Sequence, residues 1–305
     1  MAGSQDFVAD PRNDALMVLV NGALVPREAA TVSIFDAGFG VGDGVWEGVR
    51  LHRGSMLFLD AHLDRLWQGA GAIRIDIGQT RDELVADLVR LLQANGMTDG
   101  AHLRIMVTRG VKRTVNQDPR AALGRATIVV TAEFKQRGSA LAQGLHLATV
   151  SIRCTPPSMF DMRLNSHSRL NLIRALLEAI DAGADEALML DPQGNIASCN
   201  ATNFFWVRDG VVHTSSDLYC FNGITRGNVI ALCRDGVAPL QMGDFAPEQL
   251  LHADEAFVTG TMGGITPVAT IDRRPLPQVG GPVTRRIEAA YAALKDAYAA
   301  GTVHL

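Results

Sequence analysis

Lysine is the scarcest charged residue in this sequence. Of 28 basic residues only Lys112, Lys135 and Lys295 are lysines, and none falls between residues 135 and 295. Chemistry that needs a side-chain amine therefore has three places to find one. Long apolar runs are missing as well. Hydrophobic residues make up 47% of the chain, yet no stretch approaches the roughly 20 apolar residues that span a bilayer, so no membrane partner is expected. Met1 to Arg12 has neither a basic n-region nor an apolar h-region, so a signal peptide is not expected. The four cysteines, Cys154, Cys199, Cys220 and Cys233, have neither disulfide-framework nor metal-ligand spacing. Reduced thiols, a cytoplasmic location and no metal are the expectation. The net charge is −4 with both signs interspersed, and without a basic stripe nucleic acid is not expected as a partner.

What is present suits a mixed α and β protein of two subdomains. Met17 to Val20 and Ala23 to Val25 flank Asn21-Gly22, a hairpin signal. Val45 to His52 and Met56 to Leu59 flank Arg53-Gly54, with Asp60 placed to cap a helix over Ala61 to Ala70. Thr80 to Asn95 has helical apolar spacing at Leu84, Leu88, Leu91 and Leu92. Leu103 to Val107 and Ala126 to Ala132 read as core strands. The polar stretch 134–144 is the predicted linker between an N-terminal α/β subdomain, 1–133, and a larger one, 145–305. In the latter, His146 to Ile152 is a predicted strand and Arg169 to Ala182 a helix ended by Gly183. A meander follows over Glu186 to Leu190, Asn203 to Val207 and Val211 to His213. Helices at Thr225 to Cys233 and Pro282 to Ala299 flank a last core strand, Ala256 to Gly260.

Five short motifs run in order along this frame: Gly42-Asp43-Gly44-Val45-Trp46-Glu47-Gly48-Val49-Arg50, His62-Leu63-Asp64-Arg65-Leu66, Gly183-Ala184-Asp185-Glu186-Ala187-Leu188, Gly223-Ile224-Thr225-Arg226, and Glu255-Ala256-Phe257 leading to Gly260-Thr261 and Pro267-Val268. Their order resembles the class IV (fold type IV) aminotransferases, the family of branched-chain and D-amino-acid aminotransferases. The resemblance implies the two-subdomain α/β (α+β) fold of that family and a homodimer. It also implies pyridoxal 5'-phosphate or its pyridoxamine form as cofactor, with an amino acid and a 2-oxo acid as substrates.

At the phosphate end the residues agree with the resemblance. A helix N-terminus presents unsatisfied N–H groups and a positive dipole end to an anion, and Gly223-Ile224-Thr225 opens a predicted helix in that way. The resemblance adds Arg65 and Thr261, and places Trp46, Arg104 and Met262 at the substrate. At the chemical end they disagree. The family's Schiff-base lysine falls on Asn165 (Leu164 if the register slips by one), its tyrosine on Arg169 (or Leu170, depending on the same slip), and its pyridine-nitrogen carboxylate on Ser198. An amide forms no imine, and serine carries no charge to hold that nitrogen protonated. Lys112, in the loop after Leu103 to Val107, is the one lysine placed to substitute, against the plainer expectation of a solvated loop lysine. His167 is a further polar group near this centre. Three readings stay open: transamination with non-covalent cofactor, another reaction in the same pocket without it, and non-catalytic binding of an anion or phosphorylated ligand.

Overall fold

The structure, a computed structural model, describes residues 3–4 and 7–305. The chain divides into two compact units. The N-terminal unit comprises Ala9–Gln136, Leu164–Arg169 and Ala297–Leu305, and the C-terminal unit comprises the rest. Mixed helix and sheet is the arrangement that the sequence pattern called for.

The N-terminal unit is built on a six-stranded antiparallel sheet in the order Ala23–Pro26, Met17–Val20, Thr127–Phe134, Ala101–Thr108, Gly44–His52, Ser55–Met56. Both predicted hairpin turns form with positive φ at their two central residues, Asn21 and Gly22, then Arg53 and Gly54, the backbone that matches strand twist. Ala101–Thr108 alternates strictly between buried and half-buried positions, so one face is apolar. On that face Val45, Val49, Leu103 and Ile105 form one core with Leu63, Leu66, Leu84 and Leu88. A short helix α1, Ala37–Val41, was not foreseen; Asp36 caps it and Gly42 ends it with φ 69°. Helix α2 is Leu59–Ala72, and its N-cap is Phe58 in the left-handed region, not Asp60. Asp60 sits instead in the first turn, where its charge still favours the helix dipole. Helix α3, Arg81–Ala94, opens with a full capping box between Thr80 and Glu83.

The strand Gly44–His52 has one further neighbour, brought from far along the chain. Trp46 N donates to Asn165 O and His167 N donates to Gly44 O, both at 2.9 Å, with an antiparallel bridge between Val45 and Ser166. Segment 165–167 thus lies as a short extra strand along the edge not taken by Ala101–Thr108. The glycines of the Gly-Asp-Gly motif make this docking possible. A Cβ on Gly44 would stand 2.6 Å from both His167 Cδ2 and Val107 O, and one on Gly42 would stand 2.7 Å from Ser168 Oγ.

The C-terminal unit carries a nine-stranded mixed sheet. Its path is Ile196–Cys199, Glu186–Leu190, Leu145–Thr149, Gly264–Ile271, Glu255–Gly260, Asn203–Arg208, Val211–Ser215, Leu240–Gly243, with Arg274–Pro275 beside Gly264–Ile271. Its helices are α4, Leu170–Asp181, α5, Ile224–Arg234, and α6, Pro282–Gly301, whose last residues belong to the N-terminal unit. Glu255 caps α6, accepting from Val283 N at 3.0 Å and Thr284 N at 2.8 Å. Ala256 to Gly260 is not the last core strand. Gly264–Ile271 follows it and pairs with it, Phe257 opposite Pro267. The strand predicted to reach Ile152 ends at Thr149.

Candidate functional site

A carboxylate inside a strand must be paired to be tolerated, and Glu47, fully buried among Val45, Val49 and Leu51, is paired on every side. Alternation points it toward α2, where His62 and Arg65 stand one turn apart. Arg65 grips it with two hydrogen bonds, Nε to Oε1 and Nη2 to Oε2, both at 2.7 Å. His62 Nδ1 lies 2.7 Å from Oε2. Asn165 Nδ2, delivered by the docked segment, donates to Oε1 at 3.4 Å. Burial pushes the Glu47 carboxyl up, but the Arg65 and His62 hydrogen bonds outweigh it and hold the group below its ordinary value. Asn165 is itself buried and is held from the other end: Arg169 Nη2 donates to its Oδ1 and, at 3.4 Å, to Leu164 O. Glu47, Asn165 and Arg169 therefore form one hydrogen-bonded line.

Arg104 and Arg169 both approach Trp46. The guanidinium carbon of Arg104 is 3.4 Å from the ring centroid and that of Arg169 is 5.6 Å. Trp46 Nε1 donates to Ser166 O at 3.2 Å, so the ring is tied to the docked segment. Burial, then repulsion from Arg104 and Arg65, brings Arg169 down to about 10. Burial and Arg104 likewise lower His167. Burial, followed by Lys135, Arg50 and Arg104, drives His102 down to about 3, so it stays neutral. Glu47, His62 and His102 were not singled out from sequence, although an acid in an apolar strand is itself the signal that cations must be near.

In the C-terminal unit, Ser198 Oγ donates to Thr202 O at 3.0 Å and receives Asn203 Nδ2 at 3.4 Å. Asn203 Nδ2 also donates to Phe221 O at 2.6 Å, which holds the turn ahead of α5. That helix starts at Gly223, and no described side chain caps it. A Cβ on Gly223 would stand 2.5 Å from Asn203 Oδ1, so only glycine lets the helix start sit there. The buried Thr225 hydroxyl is 3.5 Å from Tyr291 OH. Asn203 pairs with Thr259 across the sheet, and Thr261 and Met262 follow the end of that neighbouring strand. Ser198, Ile224 and Thr225 thus share one neighbourhood in this unit. Trp46, Arg65, Arg104, Asn165 and Arg169 share one in the other.

The lysines are engaged elsewhere. Lys112 is not solvated; it is buried, and its Nζ donates to Asn116 O at 2.6 Å, because the loop folds back on itself through a Lys112–Ala122 bridge. Its neighbour Arg109 grips Asp43 through Nε at 2.6 Å and Nη2 at 3.0 Å. Lys135 pairs with Glu133 at 2.9 Å, and Lys295 lies 5.4 Å from the Tyr291 ring centroid. None of the described helices is long and apolar enough to cross a membrane.

Comparison with known proteins agrees with this architecture. The chain is 38% identical over 287 residues to the branched-chain-amino-acid aminotransferase-like protein 2 of Arabidopsis thaliana, across 94% of this chain but 51% of that protein. It thus spans about half the length of that relative. It is 32% identical to the branched-chain-amino-acid aminotransferase of Pseudomonas aeruginosa, across 90% of this chain and 91% of that one. A similar solved structure is the branched-chain aminotransferase of the thermophilic archaeon Thermoproteus uzoniensis with norvaline. It has TM-score 0.83 and 30% identity, and the match covers 93% of this chain and 96% of that one. The family model for amino-transferase class IV matches residues 44–271, a span that holds both side-chain clusters, and the chain belongs to that family.

Proposed function

We propose that this chain binds a pyridoxal-phosphate-type cofactor without a covalent bond and acts on a small amino or 2-oxo acid as a diverged class IV aminotransferase, working as a homodimer. One observation carries the reading: the side chain at the expected lysine position is a buried amide, hydrogen-bonded to Glu47 at one end and Arg169 at the other. The donor set fits the phosphate of such a cofactor. The start of α5, uncapped by any described side chain, offers the N–H groups of Ile224 and Thr225 and the Thr225 hydroxyl, with Thr261 as a further contact by family likeness. Solved branched-chain relatives are complexed with N-(5'-phosphopyridoxyl)-L-glutamate and with pyridoxamine 5'-phosphate. The donor set does not fit covalent attachment, since each lysine ammonium is engaged elsewhere.

When bound, such a cofactor supplies an electron-withdrawing ring that stabilises a carbanion beside the transferred nitrogen. The chain's own residues supply less than is usual. Asn165 takes up no proton at neutral pH, and a positioned base contributes about 10²–10⁴ in rate, so amino transfer is expected to be slower by that order. Ser198 holds Asn203 in place and brings no charge. What remains for such a cofactor is binding at the α5 start.

Titration with pyridoxal phosphate tests this. Saturable binding that dialysis reverses, with no label fixed by borohydride, is the expected result. Label on Lys112 would point to a relocated covalent bond, and no saturable binding would reject the reading. Cofactor binding without any amino transfer would favour a binding protein for a phosphorylated ligand, which the same uncapped helix start suits.

A further inference from the structure

Behind the start of α5 the polar groups continue inward, toward α6. Thr225 is the second residue of α5. A threonine hydroxyl inside a helix commonly gives its proton to the carbonyl four residues back. Here that carbonyl, Phe221 O, already takes Asn203 Nδ2 at 2.6 Å and Gly223 N at 3.0 Å, which fills its two lone pairs. The Thr225 hydroxyl meets Tyr291 OH on α6 instead, at 3.5 Å. The buried Tyr291 ring also rests on Gly264, where a Cβ would stand 3.8 Å from its Cε1. Gly264 pairs with Gly260 across the turn that carries Thr261 and Met262. One side chain therefore touches both the α5 start and the base of that turn. Asn228 stands one helical turn after Thr225 on the same face of α5. Burial pushes the Tyr291 phenol up, and hydrogen bonds from Thr225 and Asn228 pull against it only in part, so the phenol keeps its proton at neutral pH. Asn228 Nδ2 is buried and makes no hydrogen bond of regular geometry, and the phenol oxygen is the acceptor beside it.

The direction of these bonds matters to an anion. If Thr225 gave its proton to Tyr291, its lone pairs would face the helix start and repel a phosphate there. If Tyr291 gives its proton to Thr225, the threonine proton is left for the anion. An amide donor on the far side of the phenol selects the second arrangement. We propose, resting on the phosphate contact assigned to the α5 start, that Tyr291 and Asn228 are positioning residues for that contact. The Asn228 amide gives to the phenol oxygen, the phenol gives to Thr225 Oγ1, and the Thr225 proton turns outward to the phosphate. No proton changes owner; only the direction of each hydrogen bond is set. The preference for a phosphorylated ligand over its unphosphorylated form is thus held partly by α6, 66 residues beyond Thr225.

Pyridoxamine 5'-phosphate and pyridoxamine differ by the phosphate alone, and neither carries an aldehyde for a lysine to trap. Calorimetry on the full chain gives a ratio of their dissociation constants that isolates the phosphate contribution. Tyr291→Phe keeps the ring on Gly264 and removes the hydroxyl. The ratio is expected to fall about tenfold, the worth of one hydrogen bond to a charged group, with pyridoxamine affinity unchanged. Asn228→Leu should lower it in the same direction, and Thr225→Ser should keep it. In Thr225→Val, adding Tyr291→Phe should change the ratio no further. Unfolding midpoints check that each variant is folded. A purely structural Tyr291 would weaken both ligands together, so equal losses overturn the positioning role. An unchanged ratio in folded Tyr291→Phe also overturns it, as does an unchanged ratio in folded Asn228→Leu should the first variant not fold. A phosphate-dependent ratio that Tyr291→Phe leaves intact rejects the positioning role and spares the cofactor reading. Binding of inorganic phosphate that Tyr291→Phe weakens, without saturable binding of pyridoxamine 5'-phosphate, rejects the cofactor reading alone. Binding of neither rejects both.

Discussion

At the scale of single residues, Glu47 is the pivot of the N-terminal unit. Removing one partner from a buried ion pair typically costs about 3–5 kcal/mol. Glu47→Gln is expected near the low end, because Arg65 keeps some solvent, 15% of its side chain. Urea unfolding of the variant measures this. The carboxyl is held below its ordinary value, so the unfolded chain takes up the proton first as pH falls. The contribution of Glu47 is therefore full above the ordinary carboxyl range and lost as pH falls toward the depressed value. The stability gap between the unaltered chain and Glu47→Gln should narrow on acidification through that range. His102 acts over a higher window. Its folded value is about 3 against 6.5, so below pH 6.5 the unfolded chain binds a proton that the folded chain refuses. Stability should fall by up to about 1.4 kcal/mol per pH unit from there down to 3, and His102→Gln should flatten that slope in denaturant titrations at stepped pH. Asn165→Lys would place an amine where the family resemblance expects one. A borohydride-reducible adduct is expected, with amino transfer still slow because Ser198 brings no charge to the ring nitrogen; full activity would show that Ser198 matters little. That no lysine lies between residues 135 and 295 is read directly from the sequence. The sequence did not display Glu47, whose meaning depends on His62 and Arg65 lying one helical turn apart on an element it packs against.

At the scale of elements, the docking of segment 165–167 depends on two glycines. Gly44→Ala would drive a Cβ against backbone at Val107 O and against His167. Overpacking of this kind costs about 1–3 kcal/mol and should displace Trp46, read as a shift in tryptophan emission. Thr80→Ala removes a capping box on α3 and should cost about 1 kcal/mol without that optical shift. Elements bounded by local chemistry were legible: the two hairpins, the capped α3, and the helix after Gly223. Gly264–Ile271 was not, because Pro267 and the two glycines at 263 and 264 look like loop, and only pairing with Glu255–Gly260 makes it a strand. The seating of segment 165–167 was equally hidden, because no local pattern marks a stretch whose partner lies more than a hundred residues away.

At the scale of the whole molecule, the family order of motifs was legible from Gly42 to Val268, and the family followed from it. Leu170, Ile173, Leu177 and Ile180 form an apolar stripe along α4, with Leu170 70% exposed and Ile173 54%. Helical spacing of this kind normally faces a partner, in keeping with the proposed homodimer. Light scattering should report two copies per particle, and Ile173→Asp with Leu177→Asp should shift it toward one.

The same long reach sets a timetable for synthesis. The bond from Trp46 Nε1 to Ser166 O joins residues 120 apart in sequence. At roughly 5–20 residues per second, a ribosome needs on the order of 6–24 s to deliver the second partner after the first. For that interval the strand Gly44–His52 emerges with its outer edge open, and an open edge is a template for pairing with other chains. Glu47 meanwhile has His62 and Arg65 for company and waits for Asn165. The nascent chain should therefore be most prone to self-association while it is stalled short of residue 165, and ribosome-bound chains truncated at 150 and at 200 should differ in aggregation accordingly.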